Sequence, residues 1–293
     1  MRLFRRPPTT EGSAAPVMEL HAVEGLAIAR KGKSIVAAST AARLLKEGSY
    51  PDVLYFPAEN IHPTAHLPVE GTTTCPWKGE ANYYTADGAP KAAWTYYSAK
   101  DLVAEISGMI AYNDAYIDVE TLSLPAVPAE AEEVLTFWLE ETPSELHFRV
   151  DPELDAAIAA RFGALFDEAA RGALDDWQET PRGTLALLIL LDQFSRNLFR
   201  GKAEAFAQDE KAQGIAARLV EKGWDLALSP DERAFAYLPF MHAEDMDLQN
   251  RSVDLFMSRL PGSTNVSYAL GHRKTFHQHG RFPGRYEARG ITS

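Results

Sequence analysis

The pattern of apolar residues changes near residue 122, and this change constrains the fold more than any other feature. Before it, short runs rich in β-branched and aromatic residues are separated by Gly- and Pro-containing turns. After residue 130, apolar residues recur every three or four positions. Residues 123–130 contain two prolines, which interrupt helices and central strands. The sequence therefore predicts an α+β protein, with a small β-rich domain at 17–122, a linker at 123–130 and an all-helical domain at 131–293.

The first 16 residues contain basic side chains but no apolar core behind them, so they do not match a secretory signal. We expect a disordered tail at 1–16. No stretch approaches the roughly 18 uninterrupted apolar residues of a membrane span. The single cysteine, Cys75, cannot form an internal disulfide, which fits a reducing compartment. We therefore expect a cytoplasmic protein that does not bind membranes.

Negative charge dominates both parts of the chain, and the net charge is −12. Residues 1–122 carry 11 Lys and Arg against 14 Asp and Glu, and the remainder carries 18 against 27. A protein that binds nucleic-acid backbones needs a positively charged surface. Nucleic acid is therefore not an expected partner.

The β-rich domain contains clear turn signals. Lys31-Gly32-Lys33 lies between two apolar runs, which is typical of a β-hairpin. Residues 86–90 separate two aromatic-rich runs in the same way. Within the second run, Trp94 and Tyr96 are two positions apart and are predicted to lie on the same face of a strand. Residues 40–47, by contrast, are predicted to form a short helix.

Helix starts and ends are also clear in the C-terminal domain. Asp151-Pro152 and Thr180-Pro181 each place an N-cap residue before a proline in the first turn, and residues 229–232 read as a capping box. Gly172 and Gly223 mark helix ends. We count about seven helices, and the short connections favour antiparallel neighbours.

The first candidate site lies where a buried helix becomes abruptly polar. Residues 185–191 are apolar on every side, and Asp192, Arg196 and Arg200 follow at four-residue spacing, with Asn197 beside them. Two interpretations are open. These residues form an ion-pair network that fixes helix packing, or the arginines face a cavity and bind an anion while Asp192 orients one of them.

A second polar group follows Pro239. His242, Glu244 and Asp245 lie within one turn, and Gln249 lies four residues after Asp245. A histidine beside carboxylates can transfer protons, so His242 and Glu244 are candidate catalytic residues and Asp245 and Gln249 are candidate ligand-binding residues. The spacing matches no tight metal motif, and we predict no metal site. The alternative is that Glu244 or Asp245 caps the next helix.

Positive charge collects near the end of this otherwise acidic domain. His272 shares a helical face with two aromatic residues, and Arg273, Arg281 and Arg285 follow. These four residues are further ligand-binding candidates. A histidine on an apolar face is more often packed in the core than used as a ligand.

In the β-rich domain, Cys75 lies three residues before Lys78. A cysteine beside a lysine can act as a nucleophile, but the sequence supplies no base for it. A small buried thiol is the simpler interpretation. Candidate binding residues of this domain are Cys75, Trp77, Lys78, Trp94 and Tyr96.

Several segments of residues 17–122 carry a family resemblance: 37–39, 50–57, 74–79, 93–96 and 110–112. Through them this region resembles the domain-of-unknown-function 427 family, and the Cys-Pro-aromatic-Lys-Gly run is the most specific part. The resemblance implies a small β-rich fold. The chain shows no glycine-rich phosphate loop or paired metal-binding aspartates of the kind that the family's nucleotidyltransferase-like label implies.

A second resemblance covers residues 131–285. Its carrying segments are 137–138, 176–177, 191–197, 200–201, 237–245, 249 and 272–273. This region resembles the domain-of-unknown-function 924 family, which implies an all-helical, tetratricopeptide-like fold. Gly284 and Tyr286 replace the His and Asn of the family's end pattern, so a site that used those two residues would be weakened here.

Neither resemblance brings an established reaction, and the sequence assigns no substrate or cofactor. Our first hypothesis is a polar pocket in the helical domain, either a binding site for a small anionic ligand or an active site that also turns it over. The alternative is a non-catalytic helical scaffold that binds a protein partner. The direction in which the polar side chains point separates these two functions.

Overall fold

The computed structural model describes residues 16–288, apart from the side chains of Tyr286 and Glu287. The predicted tail at 1–16 lies outside these residues, except for Pro16. The chain divides into two compact units between Leu124 and Pro125. The first unit is built of strands and the second of helices, so the α+β two-domain prediction is confirmed.

Antiparallel strands form the first unit. They are β1 Met18–Ala22, β2 Leu26–Lys31, β3 Ser34–Ser39, β4 Arg43–Glu47, β5 Val53–Phe56, β6 His66–Cys75, β7 Gly79–Ala86, β8 Ala89–Tyr96, β9 Ile110–Tyr112 and β10 Asp118–Leu122. A seven-stranded sheet has the order β1-β4-β5-β9-β8-β7-β6, and a three-stranded sheet has the order β10-β2-β3. Short 3₁₀ helices lie at Ala58–Asn60, Pro63–Ala65 and Asp101–Ile106.

The predicted hairpin around Gly32 is confirmed. β2 and β3 pair antiparallel, and Gly32 has the positive φ of 60° that a tight turn requires. Trp94 and Tyr96 also share a face, because both contact the apolar cluster that contains Tyr55 and Ile106. Alternating side chains therefore build this core as the sequence predicts.

The helix predicted at residues 40–47 is wrong, because Arg43–Glu47 form strand β4. Leu45 pairs with Leu20 of β1 on one side and with Val53 of β5 on the other. Helix propensity is a weak local preference. Here, pairing on both edges satisfies the backbone hydrogen bonds and leaves Leu45 only 1% exposed.

Helices form the second unit. They are α1 Ala129–Thr136, α2 Pro152–Arg171, α3 Pro181–Leu188, α4 Ser195–Leu198, α5 Asp209–Glu221, α6 Pro230–Met241, α7 Met246–Arg259, α8 Asn265–His279 and α9 Pro283–Ala288. π-Helical segments follow α1 at Phe137–Glu141 and join α3 to α4 at Ile189–Phe194. Short 3₁₀ helices lie at Ser144–Leu146, Asp175–Glu179, Ala203–Phe206 and Trp224–Ala227.

The described residues thus contain two α-helices more than the seven predicted. One is α4, which continues α3 beyond the π-helical segment, and the other is α9 near the end of the described chain. The predicted helix starts are confirmed. Asp151, Thr180 and Ser229 each accept a backbone hydrogen bond as N-caps, and Ser229 with Glu232 forms the capping box.

The centre of the helical unit is the segment from α3 to α4. Residues 183–195 are all buried, which agrees with the apolar run in the sequence. Gly183 permits this packing at the start of α3, because a Cβ there would lie 2.5 Å from the carbonyl oxygen of Trp177. The polar residues that directly follow the apolar run therefore lie in the interior of the helical unit. Within residues 16–288, no helix is both long and apolar enough to cross a membrane.

We predict that Leu188→Ala destabilises the protein by roughly 2–5 kcal/mol, the usual cost of truncating a core leucine. Leu188 is 1% exposed. Leu270→Ala is the matched control, because Leu270 lies on α8 and is 40% exposed. Urea unfolding followed by circular dichroism gives both values, and a loss below about 1 kcal/mol for Leu188→Ala would place α3 at the surface.

Candidate functional site

A buried aspartate–histidine pair forms the centre of the candidate site. Asp192 lies in the π-helical segment and is 1% exposed. His242 follows α6, and its Nδ1 lies 2.8 Å from Oδ1 and 3.0 Å from Oδ2 of Asp192. Gln193 also donates a side-chain hydrogen bond to Asp192. π-Helical turns widen a helix locally and occur frequently at functional sites.

Arg196 connects this pair to a second buried acid. Its Nη1 lies 3.3 Å from Oδ1 of Asp192 and also donates to the backbone carbonyl of Asp192. Its Nη2 donates to Oδ1 of Asp209 at 3.1 Å. The other oxygen of Asp209 lies 2.8 Å from Nη1 of Arg285. Two carboxylates and two guanidinium groups therefore alternate in one network.

The protonation states follow from burial and charge. Burial disfavours the ionised form of Asp192, but the charge of Arg196 and the interactions with His242 and Gln193 outweigh it and lower the pKa of Asp192 to about 2. Burial, with the nearby Arg196 charge, lowers the pKa of His242 despite the attraction of Asp192. At neutral pH a neutral His242 donates its Nδ1 hydrogen to Asp192, which leaves Nε2 as an acceptor.

His242 borders a cavity of about 210 Å³ in the helical unit. Its lining residues are His147, Phe148, Arg149, Gln193, Arg196, Arg200 and His242. Three of them belong to the connection between α1 and α2, which faces the polar end of the buried helix. One wall of the cavity is therefore formed by residues 147–149, a segment that the sequence analysis did not predict to be part of a site.

Asp192, Arg196 and Arg200, which the four-residue spacing places in one stripe, include two arginines, and both have acidic partners. Arg200 donates from Nε and Nη2 to both oxygens of Asp155, each at 2.7 Å. Asn197 donates to Asp155 at 2.8 Å. Because the Asp155 carboxylate accepts these bonds, its pKa is lowered. This part of the stripe holds α4 against α2.

Arg149 differs from them. It is exposed, and no acidic side chain within residues 16–288 pairs with its guanidinium group. The residues that line the cavity include three arginines, Arg149, Arg196 and Arg200, and no acidic side chain. The cavity therefore presents positively charged side chains in a negatively charged chain.

Three candidates near His242 make structural contacts. Glu244 accepts the backbone N–H of Phe282 at 2.8 Å. Asp245 is the N-cap of α7, where it accepts the N–H of Leu248. Gln249, fully buried, donates to the carbonyls of Met241 and Ala243 at 2.7 Å and so caps the end of α6. None of the three lines the cavity.

The C-terminal candidates lie near the network but not around the cavity. His272 binds the carbonyl of Tyr268 through Nδ1, and its ring lies 6.2 Å from that of His242. Arg285 donates to the carbonyl of His242 and is 8% exposed. Arg273 donates weakly to Asn250, at 3.4 Å. Arg281 is half-buried, and the side chain of Tyr286 lies outside the described part of the chain.

The β-unit candidates gather at one face of the seven-stranded sheet. Cys75 and Trp94 are partly buried against the apolar cluster that contains Tyr96. Lys78 forms an ion pair with Glu47, and both side chains are nearly buried. Trp77 is half-buried beside them in sequence. The structure thus brings Cys75, Trp94 and Tyr96 together and uses Lys78 to bridge β4 and the β6–β7 turn.

Asp209, Gln193, His147 and Arg149 belong to the candidate site but were not among the site residues predicted from the sequence. Asp209 looked like one more acid at a helix start, where acids are common. His147 and Arg149 lie in an irregular connection with no motif, so only the folded chain places them beside His242. Within residues 16–288, no cluster of three or more His, Cys, Asp or Glu side chains could hold a metal ion.

Comparison with known proteins places this two-domain chain in a family. Residues 134–293 match the model described as "Bacterial protein of unknown function (DUF924)", and residues 22–123 match the model described as "Domain of unknown function (DUF427)". The chain belongs to the DUF924 family, and it carries a DUF427 domain before that region. Both resemblances predicted from the sequence are confirmed.

A solved structure is similar to part of the chain. It is the protein of unknown function ATU0120 from Agrobacterium tumefaciens, which is 38% identical over 56% of this chain and 92% of its own, with a TM-score of 0.53. None of the curated proteins compared with the chain matches it.

We predict that Arg196→Met destabilises the protein by roughly 3–5 kcal/mol, because two buried carboxylates lose a partner. Asp192→Leu added to it restores only part of the loss, since Asp209 still lacks one cation and His242 loses its acceptor. Arg171→Met, at an exposed arginine away from the cavity, is the control. Urea unfolding measures all three variants, and a near-neutral Arg196→Met would show that the network does not depend on this arginine.

The pH dependence of Asp192→Asn provides a separate test. A carboxyl whose pKa falls from 3.8 to about 2 on folding contributes stability above pH 3.8. That contribution, on the order of 2 kcal/mol, is lost as the pH falls to about 2. The stability difference between the parent and Asp192→Asn should therefore shrink over that range. A difference independent of pH would mean that Asp192 is not ionised in the folded protein.

Proposed function

We propose that the cavity of the helical unit binds a small anionic ligand and that His242 exchanges a proton with it. The observation that carries this proposal is the placement of His242: Asp192 holds its Nδ1, and its ring borders a cavity that also contains an arginine without an acidic partner. Arrangements of this kind supply anion binding and proton transfer together.

Arg149 supplies the primary attraction for the anion. A guanidinium group presents paired N–H donors that match the two oxygens of a carboxylate or phosphate. Within the described structure all five N–H donors of the Arg149 guanidinium group are available, whereas Arg200 uses two of its five to bind Asp155. We therefore expect Arg149 to dominate ligand affinity and Arg200 to add to it.

His242 supplies the proton acceptor. The Asp192 carboxylate fixes the ring orientation and the tautomer, as a carboxylate does for a catalytic histidine in hydrolases. The lowered pKa keeps the ring neutral near pH 7, so Nε2 can accept a proton from a bound group. Glu244 has no part in this proposal, because it is bonded to the backbone of Phe282 and lies outside the cavity lining.

The scaffold alternative accounts for only part of the network. It explains Arg200 and Asn197, which pair with Asp155 between helices. It does not explain why His242 and Arg149 both border the same cavity with atoms that no described residue binds. For this reason we favour the pocket over the scaffold.

The test uses acetate and inorganic phosphate as probes and isothermal titration calorimetry as the measurement. We predict that Arg149→Gln weakens binding of the better probe about tenfold or more, because a charge-assisted bidentate contact is lost. The melting temperature of the ligand-free protein should stay within about one degree, since Arg149 is exposed and has no acidic partner to leave unpaired.

Arg171→Gln is the matched control, because Arg171 is also exposed but does not line the cavity. It should bind both probes as the parent does. If neither probe binds the parent protein, or if the two arginine variants weaken binding equally, the proposed anion site is wrong.

A further inference from the structure

The neutral polar side chains of the cavity share one property: each directs an N–H group into the protein. His242 donates from Nδ1 to Asp192. Gln193 donates its amide to the same carboxylate. His147 donates from Nε2 to the carbonyl of Trp138 at 2.8 Å. These bonds determine which atoms are left for a ligand.

The atoms that remain are acceptors. Burial lowers the pKa of His147 as well as that of His242, so both rings are neutral at neutral pH. A neutral imidazole that donates from one nitrogen accepts at the other, and an amide that donates from nitrogen keeps a free oxygen. No described residue binds His242 Nε2, His147 Nδ1 or Gln193 Oε1.

An anion without O–H groups, such as acetate or sulfate, satisfies only half of such a site. It can occupy the arginines, but its oxygens cannot donate to three acceptors. A ligand therefore has to bring its own O–H or N–H groups in addition to its negative charge. An ammonium group is disfavoured, because the cavity lining contains three arginines and no acidic side chain.

We propose that the ligand of this cavity is a small hydroxycarboxylate, whose carboxylate binds Arg149 and whose hydroxyl donates to Nε2 of His242. This inference rests on the proposed function and adds the chemical class of the ligand. His147 and Phe148 give the cavity an aromatic side, against which the carbon skeleton of the ligand can pack. Both rings are supported by Phe235: Phe148 stacks on it with 6.4 Å between ring centres, and the ring of His147 lies 5.3 Å from it.

The test compares acids that differ by one hydroxyl group. Lactate is paired with propionate and 3-hydroxybutyrate with butyrate, which places the hydroxyl at two distances from the carboxylate. Alanine is the ammonium analogue of lactate. We expect at least one hydroxy acid to bind about tenfold or more tightly than its partner, because a site with unpaired acceptors discriminates against a ligand that lacks the donor. Alanine should bind no better than propionate.

Asp192→Asn shows whether His242 is responsible. The amide can donate to Nδ1, which moves the histidine proton to Nε2 and turns the acceptor into a donor. In this variant the ratio of hydroxy-acid to plain-acid affinity should fall to about one. Both affinities of the ratio are measured on the same protein, so a partial loss of stability in the variant does not change it.

The outcomes separate the two proposals. Equal binding of both members of each pair by the parent protein overturns the hydroxycarboxylate inference and leaves the anion site standing. Tighter binding of alanine than of lactate also overturns it. A hydroxyl preference that survives in Asp192→Asn would assign recognition to an atom other than His242 Nε2. If none of the five acids binds, both the inference and the proposed function fail.

Discussion

The buried carboxylate of Asp192 is the constraint on which the polar structure of the helical unit depends. An ionised carboxylate in an apolar interior costs several kcal/mol unless hydrogen bonds and opposite charges compensate it. Here the compensation comes from His242 after α6, from Gln193 next to it and from Arg196 one turn later. One buried charge therefore determines where three other side chains lie.

The same charge balance extends outward from Asp192. Arg196 requires Asp209 of α5, and Asp209 in turn holds Arg285 of α9. Arg285 donates back to the carbonyl of His242, so the network returns to its starting point. This closed set of contacts holds the ring of His242 through Asp192 and its backbone carbonyl through Arg285. His242, Gln193 and Arg196 of this network line the cavity, and the proposed ligand preference rests on the atoms that the network leaves unbound.

Features set by near neighbours in sequence were predictable. The N-caps at Asp151, Thr180 and Ser229 depend on residues within four positions, and all three are confirmed. The strand at Arg43–Glu47 was missed because its pairing partners lie elsewhere in the chain and override a weak helix preference. Local patterns also placed Asp192, Arg196 and Arg200 on one helix face, but they could not show that both arginines would bind acids from other helices.

The geometry of the site depends on contacts between distant residues. Asp192 and His242 are 50 positions apart, and Arg200 and Asp155 are 45 apart. The sequence named both His242 and Asp192 as candidates but not as partners. Glu244, Asp245 and Gln249 looked equally promising by residue type, yet each satisfies a backbone group. Arg149 had no motif at all, because only tertiary packing brings its segment to the cavity.

The tautomer of His242 tests the central claim most directly. Nitrogen-15 NMR of protein labelled at histidine distinguishes a protonated ring nitrogen from a bare one. The account predicts that, at neutral pH and without ligand, His242 is neutral with its proton on Nδ1 and a bare Nε2. A neutral ring with its proton on Nε2 would contradict both the compensation of Asp192 and the acceptor that the cavity is proposed to offer, and a doubly protonated ring at neutral pH would contradict the acceptor.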